Sequence, residues 1–495
     1  MRRPTAAALT AVVVASLTLL AACTDPAADT TVDERSDATA AQFGWVTSTS
    51  DRRVQTGNLE VPLDHDDPSK GTITLHVVRH LADPDRRIGT LLVNPGGPGF
   101  GGSVLALRAA DIYSSRLLER FDIVGWDPRG TGESDPHIDC IDDYDRYYAT
   151  VDLTPDTPEE RRFAIDIAKQ FADECVANNE RILQHVGTND TARDMDAIRR
   201  ALGEDTISYF GFSYGSELGA VWATMFPDTV RAAVLDGAAD PNADMETATL
   251  QQAAGFEHTF DTFLDWCDTD ASCTFGDGGS AADAFDALMQ RLDESPVPSR
   301  EGRPDVNLSV AITAVAQAMY SDTLWPRLGT ALTDAAQGNG GGLLALYDDY
   351  LQRNADGTYD DTLEAFQVIR CMDTAERTTV EEDDARSAEY RRVSPRLAPA
   401  TIGSYFCTFF PPTTEPRIEV KDRTAVPIVV VGTTGDAATP LESSRAMART
   451  VGGRLVIVTA DQHTGYGADD CVDAAVDEYL IDPAAHTPTD GLRCP

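Results

Sequence analysis

Lysine is almost missing from this chain of 495 residues: Lys70, Lys169 and Lys421 are the only three, and arginine supplies the rest of the 40 basic side chains set against 81 acidic ones. A formal charge of −41 excludes nucleic acid as a partner, because phosphate binding needs clustered cations. It reads as a solvated acidic surface and identifies no substrate. No internal repeat is evident. No glycine-rich stretch carries the lysine of a P-loop or the GxGxxG spacing of a dinucleotide site, and no cysteine pair has metal-ligand spacing beside histidine, so neither metal nor cofactor is expected. What the chain does have is length and 42% hydrophobic residues, enough for a main domain with an insertion.

Long apolar runs are absent except at the start, where Arg2 and Arg3 precede Ala6 to Leu20, a run too short to span a bilayer. Leu20, Ala21, Ala22 and Cys23 resemble a bacterial lipobox. Residues 1–23 are accordingly expected to be a lipoprotein signal peptide, with Cys23 lipidated and residues 24–40 a flexible tether. A plain secretory signal with an incidental cysteine is the alternative. Either places the protein outside the cytoplasm; the first anchors it at the outer face of the cytoplasmic membrane, by lipid alone. The other eight cysteines, Cys140, Cys175, Cys267, Cys273, Cys371, Cys407, Cys471 and Cys494, form an even set suited to disulfides. On the order of a hundred pairings are open to eight cysteines. Pairing of successive cysteines is the expectation.

Thr72 to Val77 alternates, with Ile73, Leu75 and Val77 on one face of an expected half-exposed strand. Leu91 to Val93 leads into NPGGPGFGG (94–102), and Phe121 to Trp126 leads into DPRGTGESDP (127–136). A helix is expected over residues 191–202, capped by Asp190 or Thr191, and Arg231 to Leu235 is a further strand. Strands alternating with helices imply an α/β fold with a mostly parallel sheet covered on both faces. From about Met245 to Pro412 the chain turns Ala-, Leu- and Asp-rich with few strand candidates, and strands resume at Pro427 to Val431 and Arg454 to Ala460. Residues 41–244 and 413–495 are therefore expected to form one core, and residues 245–412 a helical cap inserted into it.

Between an expected strand, Thr206 to Phe210, and an expected helix, Ser216 to Phe226, lie Gly211 to Gly215, GFSYG. This is the context of a nucleophile elbow, with Ser213 the nucleophile and glycines where flanking side chains would clash. A serine hydroxyl needs a base, and the base an orienting acid. Asp436 follows the PIVVV strand and His463 follows RLVIVTA, the order serine, acid, histidine that this sheet type requires. Of the histidines only His463 directly follows a late apolar strand. Asp236, ending the strand after the elbow, is the second choice of acid, and Asp461 reads as structural. Oxyanion donors are expected at the backbone N–H of Tyr214 and, from the NPGGPG turn, Gly97.

These residues resemble the α/β-hydrolase superfamily, and more closely the actinobacterial tripeptidyl aminopeptidase family, relatives of proline iminopeptidases that include cell-envelope esterases. The resemblance rests on VPLDH (61–65), NPGGPG, DPRGTGESD, TARDMDAIRRALG (191–203), SYFGFSYGSELG, VLDGAADP, IRCMD ending at Asp373, and GDAATP with Asp436 and Thr439. It implies a lidded exopeptidase that releases tripeptides or similar short units from the free amino termini of peptides or proteins through an acyl-enzyme, with Ser213, Asp436 and His463 as triad. Asn94 and Pro95 depart from the proline iminopeptidase pattern, which has histidine before the glycines. An exopeptidase must hold the substrate ammonium, for which Asp373 and Glu217 are candidates; a surface acid is the plain alternative for Asp373. A carboxylesterase or lipid hydrolase with the same triad remains the other function, since the elbow does not separate amide from ester chemistry.

Overall fold

The apolar runs assemble into one ten-stranded sheet in the computed structural model, which describes residues 42–276 and 278–495. Cys23 and residues 24–40 lie outside the described residues. The strands are β1 (Val46–Thr47), β2 (Val54–Pro62), β3 (Thr72–His80), β4 (Gly89–Asn94), β5 (Phe121–Trp126), β6 (Ile207–Phe212), β7 (Val230–Asp236), β8 (Val429–Thr433), β9 (Arg454–Val458) and β10 (Leu492–Cys494). In space they run β1-β2-β3-β5-β4-β6-β7-β8-β9-β10. The pairings from β1 to β5 in that row are antiparallel and all those beyond are parallel.

Burial explains the two kinds of strand pattern. β3 has one covered face, so Ile73, Leu75 and Val77 are buried while Thr72, Thr74 and His76 are not. β4, β5 and β8 are buried along their whole length, which is why they read as unbroken apolar runs. Leu91 and Val93 of β4 belong to the same apolar cluster as Val472, Val476 and Tyr479 of the carboxyl-terminal helix Asp470–Ile481, whereas Leu92 belongs to the cluster that holds Met195, Ile198, Leu218 and Trp222. The fold is thus α/β, mostly parallel, with helices on both faces.

β7 and β8 are neighbours in the sheet, yet the chain between them builds the helices Met245–Thr269, Ala281–Glu294, Leu308–Ala318, Trp325–Ala336, Gly341–Tyr350 and Thr362–Met372. Among the described residues none of these, nor any other helix, is long and apolar enough to cross a membrane. Four disulfides join successive cysteines: Cys140–Cys175, Cys267–Cys273, Cys371–Cys407 and Cys471–Cys494.

Three of the quoted motifs meet in a buried ion network rather than at the reaction centre. Arg129 of DPRG donates to both carboxylate oxygens of Asp194 in TARDMD at 2.7 Å, and to the carbonyls of Pro62, Leu63 and His185. His65 of VPLDH completes it, with Nε2 2.8 Å from Asp194. A guanidinium with no exposure is tolerable only when its donors are matched in this way.

The helix expected at residues 191–202 begins earlier, at Thr188, and Asp190 and Thr191 lie inside it. Its cap is not local: Asp373, distant in sequence, accepts the Thr188 N–H at 2.7 Å. β2, β10 and the helix Pro158–Asn178 were not anticipated, although Thr157 and Glu160 form a capping box at the start of that helix.

Candidate active site

β6 ends at Phe212 and the next helix, Tyr214–Met225, begins two residues later, so Ser213 alone makes the turn. Its φ of 55° and ψ of −125° are strained for a residue with a side chain. The turn is held by the Ser213 N–H donating to Asp236 O at 2.8 Å, at the end of β7. The loop after β4 presses close: a Cβ on Gly96 would lie 2.9 Å from both Ser213 Cβ and the Tyr214 nitrogen. Gly97 adopts φ 106°, a conformation open to glycine. The Tyr214 N–H is at the first helical position, where no intrahelical acceptor exists, and Gly97 lines the same cavity as Ser213 and Tyr214. Among the described residues no protein acceptor meets either N–H.

The acid and the base lie at the ends of β8 and β9. His463 Nδ1 is 2.8 Å from Asp436 Oδ1. That oxygen also accepts the N–H groups of Ala438 and Thr439, at 2.9 and 2.8 Å, while Thr439 Oγ1 lies 2.8 Å from Asp436 Oδ2 and from Gly237 O. Asp436 is therefore locked in one rotamer. His463 Nε2 is buried with no protein partner. Burial disfavours the imidazolium, but the charge and hydrogen bond of Asp436 outweigh it, so the pKa of His463 stands above its ordinary value. A Cβ on Gly237 would lie 3.3 Å from His463 Cε1, so the histidine sits against the turn that follows Asp236.

The alternative acid, Asp236, is fully buried and receives the Gly465 and Tyr466 N–H groups at 2.8 Å each. Burial pushes its pKa up to about 6 despite those bonds. It shapes the loop that carries the histidine, and Asp436 is the carboxylate on Nδ1. The helical segment also holds that loop: the His463 N–H donates to Tyr320 O at 3.0 Å, the Asp322 N–H to Asp461 O at 3.0 Å, and the Tyr320 ring meets the imidazole edge-to-face.

Ser213 opens into a cavity of about 100 Å³ whose walls include Glu217, Asp240, Phe366, Arg370, Arg417 and Thr439. Glu217 is there as expected, but its oxygens pair with Arg370 at 3.2 Å and Arg417 at 3.1 Å. Asp373 is turned away, its oxygens taken by the N–H and hydroxyl of Thr188 at 2.7 and 2.6 Å. Burial raises its pKa against the opposing pull of Arg417. A second cavity of about 270 Å³ continues outward past Phe366, Arg370, Thr249 and Gln252 to Asp244, Glu246, Glu376 and Asp383. Sequence reasoning missed Arg370, Arg417, Asp240 and Tyr320. Arg370 stands inside the IRCMD motif and Asp240 inside VLDGAADP, and both were within reach; Arg417 sits in a loop with no periodicity to mark it.

The arrangement offers a strained serine, a carboxylate-oriented imidazole with a free nitrogen, and two unpaired N–H groups, the parts that acyl transfer requires. Residues 89–466 match the family described as alpha/beta hydrolase fold. Over 459 residues the chain is 37% identical to "Serine protease Hip1" of Mycobacterium tuberculosis, covering 88% of this chain and 86% of that protein. It is 34% identical over 463 residues to "Carboxylesterase B" of the same species, covering 91% and 88%. To "Tripeptidyl aminopeptidase" of Streptomyces lividans it is 28% identical over 443 residues, covering 86% and 81%.

Proposed function

This chain belongs to the α/β-hydrolase family as a serine hydrolase of its tripeptidyl aminopeptidase-related peptidases, and we propose that it is an exported exopeptidase releasing tripeptides or similar short units from free amino termini. In this reading Ser213 Oγ attacks the scissile carbonyl and passes its proton to His463 Nε2, while Asp436 stabilises the imidazolium that forms. The Tyr214 and Gly97 N–H groups receive the oxyanion. The leaving amine takes the proton from His463, and water then releases the acyl group by the same steps in reverse. The observation that carries the reading is His463, with Nδ1 bound to Asp436 and Nε2 unpartnered, in a loop packed against the turn after Asp236.

The exopeptidase part rests on the acidic outer cavity. Two or three extended residues span about 7–10 Å. A substrate acylated at Ser213 would carry its ammonium past Arg370 toward Asp244, Glu376 and Asp383, Glu246 being paired with Arg386 at 2.9 Å. Glu217, neutralised by two arginines, supports the wall, with Asp240 the nearer carboxylate. The test compares a tripeptide anilide with a free amino terminus against its acetylated form. Strong preference for the free amine is expected; equal rates would overturn the exopeptidase assignment while leaving a serine hydrolase. Labelling by a fluorophosphonate that disappears in Ser213→Ala tests the nucleophile separately.

One observation favours a second reading, hydrolysis of acyl esters. An apolar cavity of about 300 Å³, lined by Tyr147, Leu153, Phe171, Leu363, Phe366 and Phe406 among others, shares Phe366 with the cavity at Ser213. An acyl chain held there would make rates on nitrophenyl esters climb with chain length; a flat series removes this alternative.

A further inference from the structure

Away from Ser213, an acidic cluster joins two parts of the chain that sequence separates widely. One carboxylate oxygen from each of Asp139, Asp361 and Glu364 lies within 4.8 Å of the other two. Asp139 precedes the disulfide-bonded Cys140, and its backbone is fixed by Asn179, which donates to Asp139 O at 3.0 Å and accepts from its N–H at 3.2 Å. Asp361 and Glu364 open the helix Thr362–Met372.

Glu364 is the unusual member, with no solvent exposure at all. Its Oε2 accepts the Cys140 and Ile141 N–H groups. Its Oε1 is buried without a hydrogen-bond partner. The Tyr144 hydroxyl, close enough to pull the Glu364 pKa down, donates to Asp360 O at 2.9 Å. Burial, with Asp361 adding to it, pushes the Glu364 pKa up to about 8. Among the described residues no lysine or arginine pairs with any of the three carboxylates, and His137, 3.4 Å from Asp361, is the one ionisable partner. An unpaired oxygen on a buried carboxylate is costly unless something positive meets it.

We propose that Asp139, Asp361 and Glu364 bind a calcium ion that ties the start of the Thr362–Met372 helix to the core segment at Cys140. Three carboxylates without thiolate or imidazole are a hard, oxygen-only donor set. Calcium–oxygen distances put ligands on a shell roughly 4.6–5.2 Å across, which accommodates three oxygens lying within 4.8 Å of one another, and calcium accepts the irregular geometry that magnesium resists. Asp139 is exposed and Asp361 half-exposed, so the ion has a path in and room for water ligands. The same helix presents Phe366 and Arg370 to the cavity at Ser213, and a Cβ on Gly99 of the glycine loop would lie 2.8 Å from the Phe366 nitrogen. An ion at Glu364 thereby holds the wall of the substrate chamber.

The test uses the purified chain, stripped with a chelator and titrated calorimetrically with calcium chloride, then with magnesium chloride. One calcium per chain is expected, with a dissociation constant of about 10⁻⁴ to 10⁻³ M and magnesium weaker by at least about tenfold. Saturating calcium should raise the melting temperature by a few degrees. Asp139→Asn, a surface change that preserves folding, should weaken calcium at least about tenfold, since it removes one of three charged ligands. Glu364→Gln should abolish binding, yet its metal-free form should melt no lower than the metal-free parent, because the Gln oxygen can still accept the Cys140 and Ile141 N–H groups and there is no carboxylate left to bury. No saturable binding by about 10 mM calcium, equal binding of magnesium, or unchanged affinity in both variants would overturn the proposal.

Discussion

Replacing Asp436 by asparagine separates charge from geometry at this site. The two backbone donors, Ala438 and Thr439, both converge on Oδ1, so the asparagine oxygen should stay there and continue to accept from His463 Nδ1. The amide nitrogen would then take the place of Oδ2 and donate to Thr439 Oγ1, which can still donate to Gly237 O. Every partner remains satisfied and the tautomer is kept, so what is lost is the carboxylate charge beside the imidazolium. With charge centres about 4 Å apart and an effective dielectric near 20, that attraction is about 4 kcal/mol, or about a thousandfold in rate. This is less than the loss of about 10⁴ seen when the amide also inverts the tautomer. The assay is kcat/KM on a nitroanilide substrate across pH, with active sites counted by fluorophosphonate. The acid limb should also move to lower pH, because Asp436 is what holds the His463 pKa up. A loss below tenfold, or an acid limb that does not move, would refute Asp436 as the partner of His463.

In the parent, activity requires neutral His463, so it should fall as pH drops through a value above the ordinary 6.5; full rates at pH 5 in a rate profile would contradict this. The stability that this raised pKa contributes has the opposite sense: it is complete below 6.5 and is lost as pH rises through the folded value, which denaturant titrations at pH 6 and 9 of parent and Asp436→Asn would register. Asp194→Ala leaves the Arg129 guanidinium buried and unpaired and should cost about 3–5 kcal/mol in urea unfolding; a cost under about 1 kcal/mol would mean water reaches Arg129. Gly96→Ala forces a methyl against Ser213 Cβ at φ 95° and should lower kcat by about a hundredfold with the fold intact, and an unchanged kcat would remove the loop from the oxyanion site.

The parallel strands were legible because burial on both faces leaves an apolar run, and β5 coincides with the expected Phe121–Trp126. The candidate residues were legible because each stands just beyond such a run, Ser213 after β6, Asp436 after β8 and His463 after β9. β2 escaped notice because its ladder with β3 passes through Gly57 and Asn58, which weaken the alternation. Asp373 looked like a substrate ligand because nothing local reveals that a helix begun at Thr188 takes its cap from it. The pairing of Glu217 left no local trace either: Arg370, although inside a quoted motif, and Arg417 arrive from a helix and a loop that only the folded chain brings together. Local signals mark elements; pairing partners far apart in sequence leave no trace in either segment alone.

Tyr320 and Asp322 sit in the helical segment, yet they are hydrogen-bonded to the backbone on both sides of Gln462. The helical segment is therefore part of what holds the His463 loop. Excising residues between β7 and β8, or grafting a different insertion there, would release the very loop that aims the imidazole, so specificity and reactivity in this chain cannot be exchanged as separate modules unless the three residues at 320–322 travel with the core.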